Sequence, residues 1–143
     1  MLTIELVPST AWYRNLRSEL SRKDWDFLRR KCYKQAKFLC EACGGRGHKW
    51  PVECHEIWEF SDQTKVQKLK GLVALCPDCH GVKHMGLSNK RGRGKEARAH
   101  LAKVNGWNIE RAERYIRDCF KTWEERSRYQ WELDLTWLQE NLG

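Results

Sequence analysis

Two metal-binding patterns meet in the stretch Leu75-Cys76-Pro77-Asp78-Cys79-His80-Gly81-Val82-Lys83-His84. Cys76 and Cys79 have the two-residue spacing with which two thiolates hold one zinc ion. His80 and His84 are four residues apart, so a helix that begins near Cys79 carries both imidazoles on one face. Four thiolates form a closed structural site, whereas histidines that leave room for water are typical of a site that does chemistry. The stretch therefore predicts a structural metal site followed directly by a candidate catalytic one.

The structural site is completed upstream by Cys40 and Cys43, which repeat the same spacing. Four thiolates satisfy the tetrahedral preference of Zn²⁺ without another ligand. The long segment between the two pairs must bring its ends together at the metal, so we expect zinc to contribute to the folding free energy. Seven cysteines is an odd number, which excludes a complete set of internal disulfides and favours metal binding in an intracellular chain. The other three are expected to pack as small apolar groups: Cys32, Cys54 and Cys119.

The composition indicates a soluble chain. Its 143 residues suffice for one compact domain, and a hydrophobic content of 41% suffices for a core. The mean hydropathy is −0.79, and no apolar run approaches the roughly 20 residues that span a membrane. The first residues, Met1 to Leu6, carry no signal-peptide pattern. We therefore expect a cytoplasmic protein without a membrane partner.

The charge balance favours an acidic partner. The net charge is +8 and the sequence pI is about 9.2. Nucleic acid is the most common polyanion that such a chain binds.

Several elements are predicted around the cysteines from periodicity and capping residues. Those before the second cysteine pair are a strand Thr3–Val7 ended by Pro8, a helix Ala11–Leu20, a helix Arg22–Lys37 capped by Ser21, a strand Val52–Trp58, a short helical turn Val66–Lys70 and a strand Leu72–Leu75. Those after it are a helix Cys79–Met85, an exposed loop Gly86–Gly94, a helix Lys95–Val104 stopped by Asn105-Gly106, a helix from Asn108 to Arg126, and a strand Trp131–Leu135 paired with Thr3–Leu6.

The predicted fold is α+β and mainly helical, with two strands and a helix around a metal. Its parts are an N-terminal strand and helices in 1–37, a metal-binding core in 38–86 and a C-terminal helical extension in 87–143, all within one compact unit.

The chain resembles the HNH endonuclease family, whose core is a ββα-metal fold. The resemblance rests on the pair Cys40-x2-Cys43, the run Val52-Glu53-Cys54-His55-Glu56-Ile57, and the run from Gly71 to His84. It covers roughly Trp25 to His84. It implies a metal-dependent endonuclease that hydrolyses phosphodiester bonds in double-stranded DNA, with a catalytic Mg²⁺, Mn²⁺, Ni²⁺ or Zn²⁺ besides the structural Zn²⁺ of Cys40, Cys43, Cys76 and Cys79.

The resemblance matches His80 and His84 to the ligands on the family's helix, but it leaves two alignments of the preceding strand. In the first, His55 is the third metal ligand and Glu56 is the general base. In the second, shifted by one residue, Cys54 is the ligand and His55 is the base. Because a one-residue shift exchanges the two faces of a strand, the alignments exclude each other. Thiolate matches magnesium and manganese poorly, which favours the first alignment.

The family usually carries Asn where this chain has Gly71, and glycine supplies no side-chain hydrogen bond. Either Asp62 or Gln63 replaces that group, or activity is reduced, or the scaffold has become a binding module. The alternative function is therefore a catalytically weak or inactive zinc module that binds nucleic acid. A third is a protein-interaction adaptor that uses the tryptophan-rich helical C-terminus. Residues expected to contact phosphates are Arg29, Arg30, Lys34, Lys83, Lys90, Arg91 and Arg93.

Overall fold

The computed structural model describes residues 1–11, 16–46 and 51–142. Over these ranges the chain forms seven helices and one three-stranded sheet, which confirms the α+β class. The elements in chain order are α1 Leu16–Glu19, α2 Arg22–Gln35, β1 Glu53–Ser61, β2 Val66–Leu75, α3 Pro77–Lys83, α4 Met85–Lys90, α5 Gly94–Asn105, α6 Ile109–Arg126, β3 Glu132–Asp134 and α7 Thr136–Leu142. Within the same ranges, no helix has both the length and the apolar character that a bilayer crossing requires.

The sheet has the order β1-β2-β3. β1 and β2 pair antiparallel from Glu53 opposite Leu75 to Ser61 opposite Val66, and β3 pairs parallel with the first residues of β2. β2 continues directly into α3 through Cys76, whose thiol caps the helix by accepting a hydrogen bond from the backbone N–H of Cys79. The succession β1–β2–α3 thus fixes the second cysteine pair at a helix N-terminus.

Gly71 lies at an irregularity of this strand pair. It is opposite Ile57, and the register shifts between Ile57 and Trp58. Its φ is 156°, a value that residues with a side chain rarely adopt. A bulge of this kind bends the strands and favours glycine for its backbone freedom. The glycine at position 71 therefore meets a local backbone requirement.

The main core packs the metal-binding elements against α5 and α6. Leu75, Val82, Met85, Leu101 and Ile116 are among its buried members. A second cluster, built on Leu16, Trp58 and Leu69, lies at the other end of the sheet.

The N-terminal segment, residues 2–8, lies along these elements without forming a strand. Hydrogen bonds from three helices hold its backbone. Leu2 N donates to Asn105 Oδ1 at 2.7 Å, and Ile4 N donates to Tyr115 Oη at 3.0 Å. Glu5 N donates to the Lys83 carbonyl at 3.2 Å, and the Val7 carbonyl accepts from Trp123 Nε1 at 2.9 Å. The predicted strand Thr3–Val7 is therefore wrong: the segment is extended, but helices satisfy its backbone.

Two other predictions near the core are wrong. Residues 66–70 belong to β2, because burial alternates there, with Gln67 and Leu69 buried and Lys68 and Lys70 exposed. The predicted loop Gly86–Gly94 contains most of α4, which buries Met85 and is held to α3 by a hydrogen bond of 2.7 Å from Ser88 Oγ to the Gly81 carbonyl.

At the C-terminus, the strand predicted around Trp131–Leu135 is present as β3. It pairs with β2, however, and not with Thr3–Leu6. The helix α7 was not predicted from the sequence. Of the predicted helix Ala11–Leu20, α1 is described, and residues 12–15 lie outside the described residues.

The capping predictions are confirmed. Ser21 accepts a hydrogen bond from Asp24 N at the start of α2, and Asn108 accepts one from Arg111 N at the start of α6. Gly106 ends α5 with a φ of 67°, the left-handed conformation that terminates many helices.

Candidate metal centres

The four cysteines of the two paired motifs converge on one point. Their sulfur atoms all lie within 4.8 Å of one another, and Cys43 Sγ is 3.7 Å from Cys76 Sγ. A tetrahedral zinc with Zn–S bonds of about 2.3 Å separates its sulfurs by about 3.8 Å, whereas a disulfide needs about 2.05 Å. The thiols are free in the structure. The spacing of the cluster fits a metal ion and excludes a disulfide.

Local backbone geometry holds the first cysteine pair. Gly44, with a φ of 77°, turns the chain so that its N–H donates to the Cys40 carbonyl at 2.8 Å. The N–H groups of Cys43 and Gly45 are directed at the sulfurs of Cys40 and Cys43, at 3.5 and 3.3 Å. Such N–H groups stabilise negative charge on sulfur. The turn is therefore prepared for thiolates.

Glu41 joins this turn to the sheet. Its backbone N–H donates to the Ala74 carbonyl at 2.9 Å, and its carboxylate accepts from Ala74 N at 2.7 Å. The first pair is thereby fixed beside the end of β2, where the second pair begins.

The thiols differ in acidity. Burial opposes ionisation of Cys40, but the backbone N–H groups around its sulfur outweigh this and lower its pKa to about 7. Burial raises the pKa of Cys76 to about 11 and also raises that of Cys79. Because thiolates are the ligands, a metal must displace protons from the second pair when it binds.

His100 of α5 also contacts this cluster. Its Nε2 lies 3.1 Å from Cys79 Sγ, so an N–H at that position can donate to the thiolate. Sequence reasoning missed this contact because His100 belongs to no cysteine motif, and only the packing of α5 on α3 brings the two together.

Three histidines form a second cluster. His55 from β1, His80 from α3 and His84 directly after α3 offer ring nitrogens that lie within 4.8 Å of one another. His80 Nε2 and His84 Nε2 are 3.1 Å apart. His55 is 3% exposed, whereas the other two are open to solvent on one side. Three imidazoles at this separation are a suitable ligand set for a divalent transition metal.

His84 favours the neutral imidazole. Burial, followed by the nearby rings of His55 and His80, lowers the pKa of His84 to about 4. Neutral imidazole is the form that binds a metal. His84 is thus suited to bind a cation at neutral pH.

The alternation of side chains along β1 bears on the two alignments. His55 faces α3 and the other histidines, whereas Cys54 and Glu56 lie on the opposite face. The Cys54 thiol is next to Cys32, and this contact together with burial raises its pKa. Glu56 Oε1 accepts a hydrogen bond of 3.2 Å from Leu16 N. The structure therefore brings His55 to the histidine cluster and leaves Cys54 and Glu56 outside it.

Glu53 is the carboxylate that accompanies the histidines. Its Oε2 contacts His80 Nδ1, and its side chain is 41% exposed. An imidazole that donates its Nδ1–H to a carboxylate keeps Nε2 free for a metal, an arrangement found at many metal sites. Sequence reasoning did not select Glu53, although its two-residue spacing from His55 puts both on one face of the strand.

Two grooves meet at Glu53 and His80. The first, of about 470 Å³, is lined by His84 and by the loop after α4. The second, of about 790 Å³, lies along α2. The arginines and large aromatic residues of the grooves are Arg91 and Arg93 in the first, and Arg17, Arg22, Arg29, Trp25 and Tyr33 in the second. The acidic residues are Asp78 and Glu96 in the first, Asp26 in the second, and Glu53 in both.

The predicted phosphate-contacting residues divide accordingly. Arg29 lines the second groove but is paired with Asp26 at 2.8 Å. Lys83 is half-buried and donates to Thr3 Oγ1 at 2.6 Å, away from both grooves. The others that line neither groove are Arg30, Lys34 and Lys90, all exposed.

No family model, curated protein or solved structure matches the chain.

Proposed function

We propose that the chain is a metal-dependent endonuclease of the HNH type that hydrolyses phosphodiester bonds in double-stranded DNA. The observation that carries the proposal is the histidine cluster of His55, His80 and His84, which lies directly beside the cysteine cluster and at the junction of two arginine-lined grooves. In this proposal the cysteine cluster holds a structural Zn²⁺ and the histidine cluster holds a catalytic Mg²⁺, Mn²⁺, Ni²⁺ or Zn²⁺.

The residues fit these two roles differently. The cysteine cluster supplies four donors and is closed, as structural zinc sites are. The histidine cluster supplies three donors and is open toward the first groove, which leaves room for substrate and water. When bound there, a divalent cation supplies electrostatic stabilisation of the charge that develops on the phosphate and the leaving oxygen.

In this proposal a carboxylate beside the cluster accepts a proton from water. Glu56, the residue expected from the alignment, is hydrogen-bonded to Leu16 N on the other face of the strand. Glu53 contacts His80 and lines both grooves, so solvent and substrate can reach it. We therefore assign to Glu53 the orientation of His80 and the deprotonation of water.

The two grooves suit a nucleic-acid backbone that crosses the histidine cluster. A guanidinium group donates two parallel hydrogen bonds to the oxygens of one phosphate. Arg91 and Arg93 offer such groups in the first groove, and Arg17 and Arg22 in the second. Trp25 adds an aromatic face that can stack on a base.

The experiment that tests the proposal compares the wild-type protein with His80→Ala on supercoiled plasmid DNA, with each divalent metal in turn. The variant should lose cleavage by about 100-fold or more, because a ligand that acts on transition-state charge is removed. Its DNA affinity should stay within a few-fold, since phosphate contacts dominate binding. Unchanged metal-dependent cleavage by His80→Ala would refute the proposal.

A second candidate function is a non-catalytic module that binds nucleic acid. It is favoured by the glycine at position 71 and by the placement of Glu56 outside the histidine cluster. This alternative predicts binding that weakens steeply with salt. It also predicts no cleavage by the wild-type protein in magnesium, manganese, nickel or zinc, which distinguishes it from the enzyme.

A further inference from the structure

A second carboxylate reaches the histidine cluster from the N-terminal segment. Glu5 Oε1 lies 3.5 Å from His55 Nε2. The two side chains are 13% and 4% exposed. Within the described residues, neither of these atoms has a hydrogen-bond partner, and the other ring nitrogen of His55 has none either. Buried polar atoms without partners are rare, and a pair of them facing one another beside a candidate metal site calls for a function.

The position of Glu5 is fixed by several elements. Its own N–H donates to the Lys83 carbonyl at 3.2 Å, at the end of α3. On one side, Ile4 N donates to Tyr115 Oη of α6. On the other, the Val7 carbonyl accepts from Trp123 Nε1. The backbone around Glu5 is therefore held by α3, which carries His80, and by α6.

Lys83 and the histidines lie on two sides of Glu5. Lys83 is half-buried and interacts electrostatically with Glu5, and its ammonium donates to Thr3 Oγ1. On the facing side are the imidazoles, of which His55 is in contact. A buried carboxylate is tolerated when it has such partners.

The geometry distinguishes a partner of His55 from a fourth metal ligand. Glu5 is not among the residues whose donor atoms lie within 4.8 Å of one another at the histidine cluster. Its contact is with one ring nitrogen of His55, as the contact of Glu53 is with one ring nitrogen of His80. A carboxylate so placed fixes which imidazole nitrogen carries the proton and directs the other nitrogen to the metal.

We propose that Glu5 is a positioning residue of the histidine metal centre: it accepts the Nε2–H of His55 and thereby directs His55 Nδ1 toward the cation. This inference rests on the proposed function, because it takes His55, His80 and His84 as metal ligands. It makes the N-terminal segment part of the metal centre, although the segment lies outside the region of family resemblance.

The first test is the affinity of the second metal site in the zinc-loaded 143-residue chain. Titration calorimetry with Ni²⁺ should give about 10- to 100-fold weaker binding for Glu5→Ala, the usual effect of removing a carboxylate partner of a metal-bound histidine. Glu5→Gln should lose less, because its amide oxygen still accepts the N–H. Glu59→Ala is the matched control, since Glu59 is an exposed carboxylate on the same strand as His55, and it should bind as the wild type does.

The second test does not depend on the second metal. Long-range ¹H–¹⁵N spectra of the zinc-loaded protein without Ni²⁺ report which nitrogen of each neutral histidine carries the proton. The wild type and Glu5→Gln should both have the His55 proton on Nε2, and Glu5→Ala should lose that preference. A merely structural role for Glu5 would leave this signature unchanged in a folded variant.

The outcomes separate the two proposals. Weaker Ni²⁺ binding by Glu5→Ala together with the altered proton position supports the role of Glu5. Ni²⁺ affinity within about twofold of wild type in Glu5→Ala overturns it, because removal of such a partner costs at least about tenfold. If Glu5→Ala does not fold, Glu5→Leu replaces it, because leucine has a similar length and no hydrogen-bond acceptor. A Ni²⁺ affinity equal to that of the wild type and an unchanged His55 signal in Glu5→Leu would then overturn the role of Glu5. A wild-type protein that binds no second metal overturns the proposed function itself.

Discussion

The direction of single side chains along β1 decides which groups can act together. Glu53 and His55 share the face that meets α3, whereas Cys54 and Glu56 meet α1 and α2. Because successive side chains of a strand point to opposite faces, no small adjustment exchanges these sets. The carboxylate nearest the histidines therefore precedes His55 by two residues and does not follow it by one.

This arrangement predicts opposite results for two isosteric substitutions. Glu53→Gln should lower metal-dependent DNA cleavage by about 100-fold, the scale of a general base, because the amide accepts no proton and holds His80 less strongly. Glu56→Gln should stay within a few-fold of wild type. Single-turnover rates on a defined duplex measure both. A large loss with Glu56→Gln and none with Glu53→Gln would restore Glu56 as the base.

Among the elements, the junction of β2 and α3 organises both clusters. Cys76 and Cys79 lie at the start of α3, and His80 and His84 follow on the same helix and at its end. The cysteine cluster also joins the turn of Cys40 to α5, through the contact of Cys79 with His100. A metal in the cysteine cluster should therefore stabilise elements that are distant in sequence.

Removal of that metal should destabilise the whole chain. Stripping zinc with a chelator should lower the melting temperature by about 10 °C or more, because structural zinc contributes several kcal/mol to folding. Cys43→Ala should have the same effect, since Cys43 is exposed and its loss leaves no core cavity. Cys119→Ala is the control and should retain zinc. Equal melting temperatures for the zinc-loaded and stripped proteins would contradict this expectation.

The pKa values of the second cysteine pair give the sign of the pH dependence. Burial raises the pKa of Cys76 to about 11, and that of Cys79 is raised as well, so both are thiols in the metal-free protein at neutral pH. Their protons must leave when zinc binds, so zinc affinity should rise as the pH rises from about 6 to 8. Competition titrations against a chromophoric chelator measure this. An affinity that falls with rising pH would contradict it.

For the whole molecule, several of the arginines behind the net charge of +8 line the two grooves. Both grooves share Glu53 and His80. Other cations, such as Arg30 and Lys34, are exposed elsewhere on α2. Under the proposed function, a duplex bound along both grooves would place a phosphate near His80.

Substitutions in the grooves should therefore weaken DNA binding selectively. The logarithm of the DNA-binding constant falls linearly with the logarithm of the salt concentration. Arg91→Ala and Arg93→Ala should each reduce the steepness of this slope by about 1, the amount expected for one lost phosphate contact. Arg30→Ala and Lys34→Ala, which remove equal charge outside the grooves, should change the slope less. Fluorescence anisotropy at several salt concentrations measures this. Equal losses for both pairs would indicate a nonspecific effect of net charge.

The sequence predicted the local parts of the structure and missed those that depend on packing. The paired cysteines, the Ser21 and Asn108 caps and the left-handed Gly106 follow from short-range rules, and the structure agrees with them. The strand at 66–70 was missed because one of the two buried positions in its alternation is a glutamine, Gln67, and only the other, Leu69, is apolar.

Parts of the candidate site could not be predicted because they depend on tertiary packing. Glu5 and His100 reach the clusters only through the packing of the N-terminal segment and α5. They are far in sequence from the groups that they contact and belong to no motif. Short-range patterns carry no information about such contacts.

The central claim is that the histidine cluster binds a metal distinct from the one in the cysteine cluster. The most direct measurement is anomalous X-ray scattering from crystals of the zinc-loaded protein soaked in Ni²⁺, recorded at both metal edges. The account predicts a zinc peak among the four cysteines and a separate nickel peak about 2.1 Å from the nitrogens of His80 and His84, with His55 as third ligand. A zinc peak at the cysteines with no nickel peak among the three histidines would contradict it.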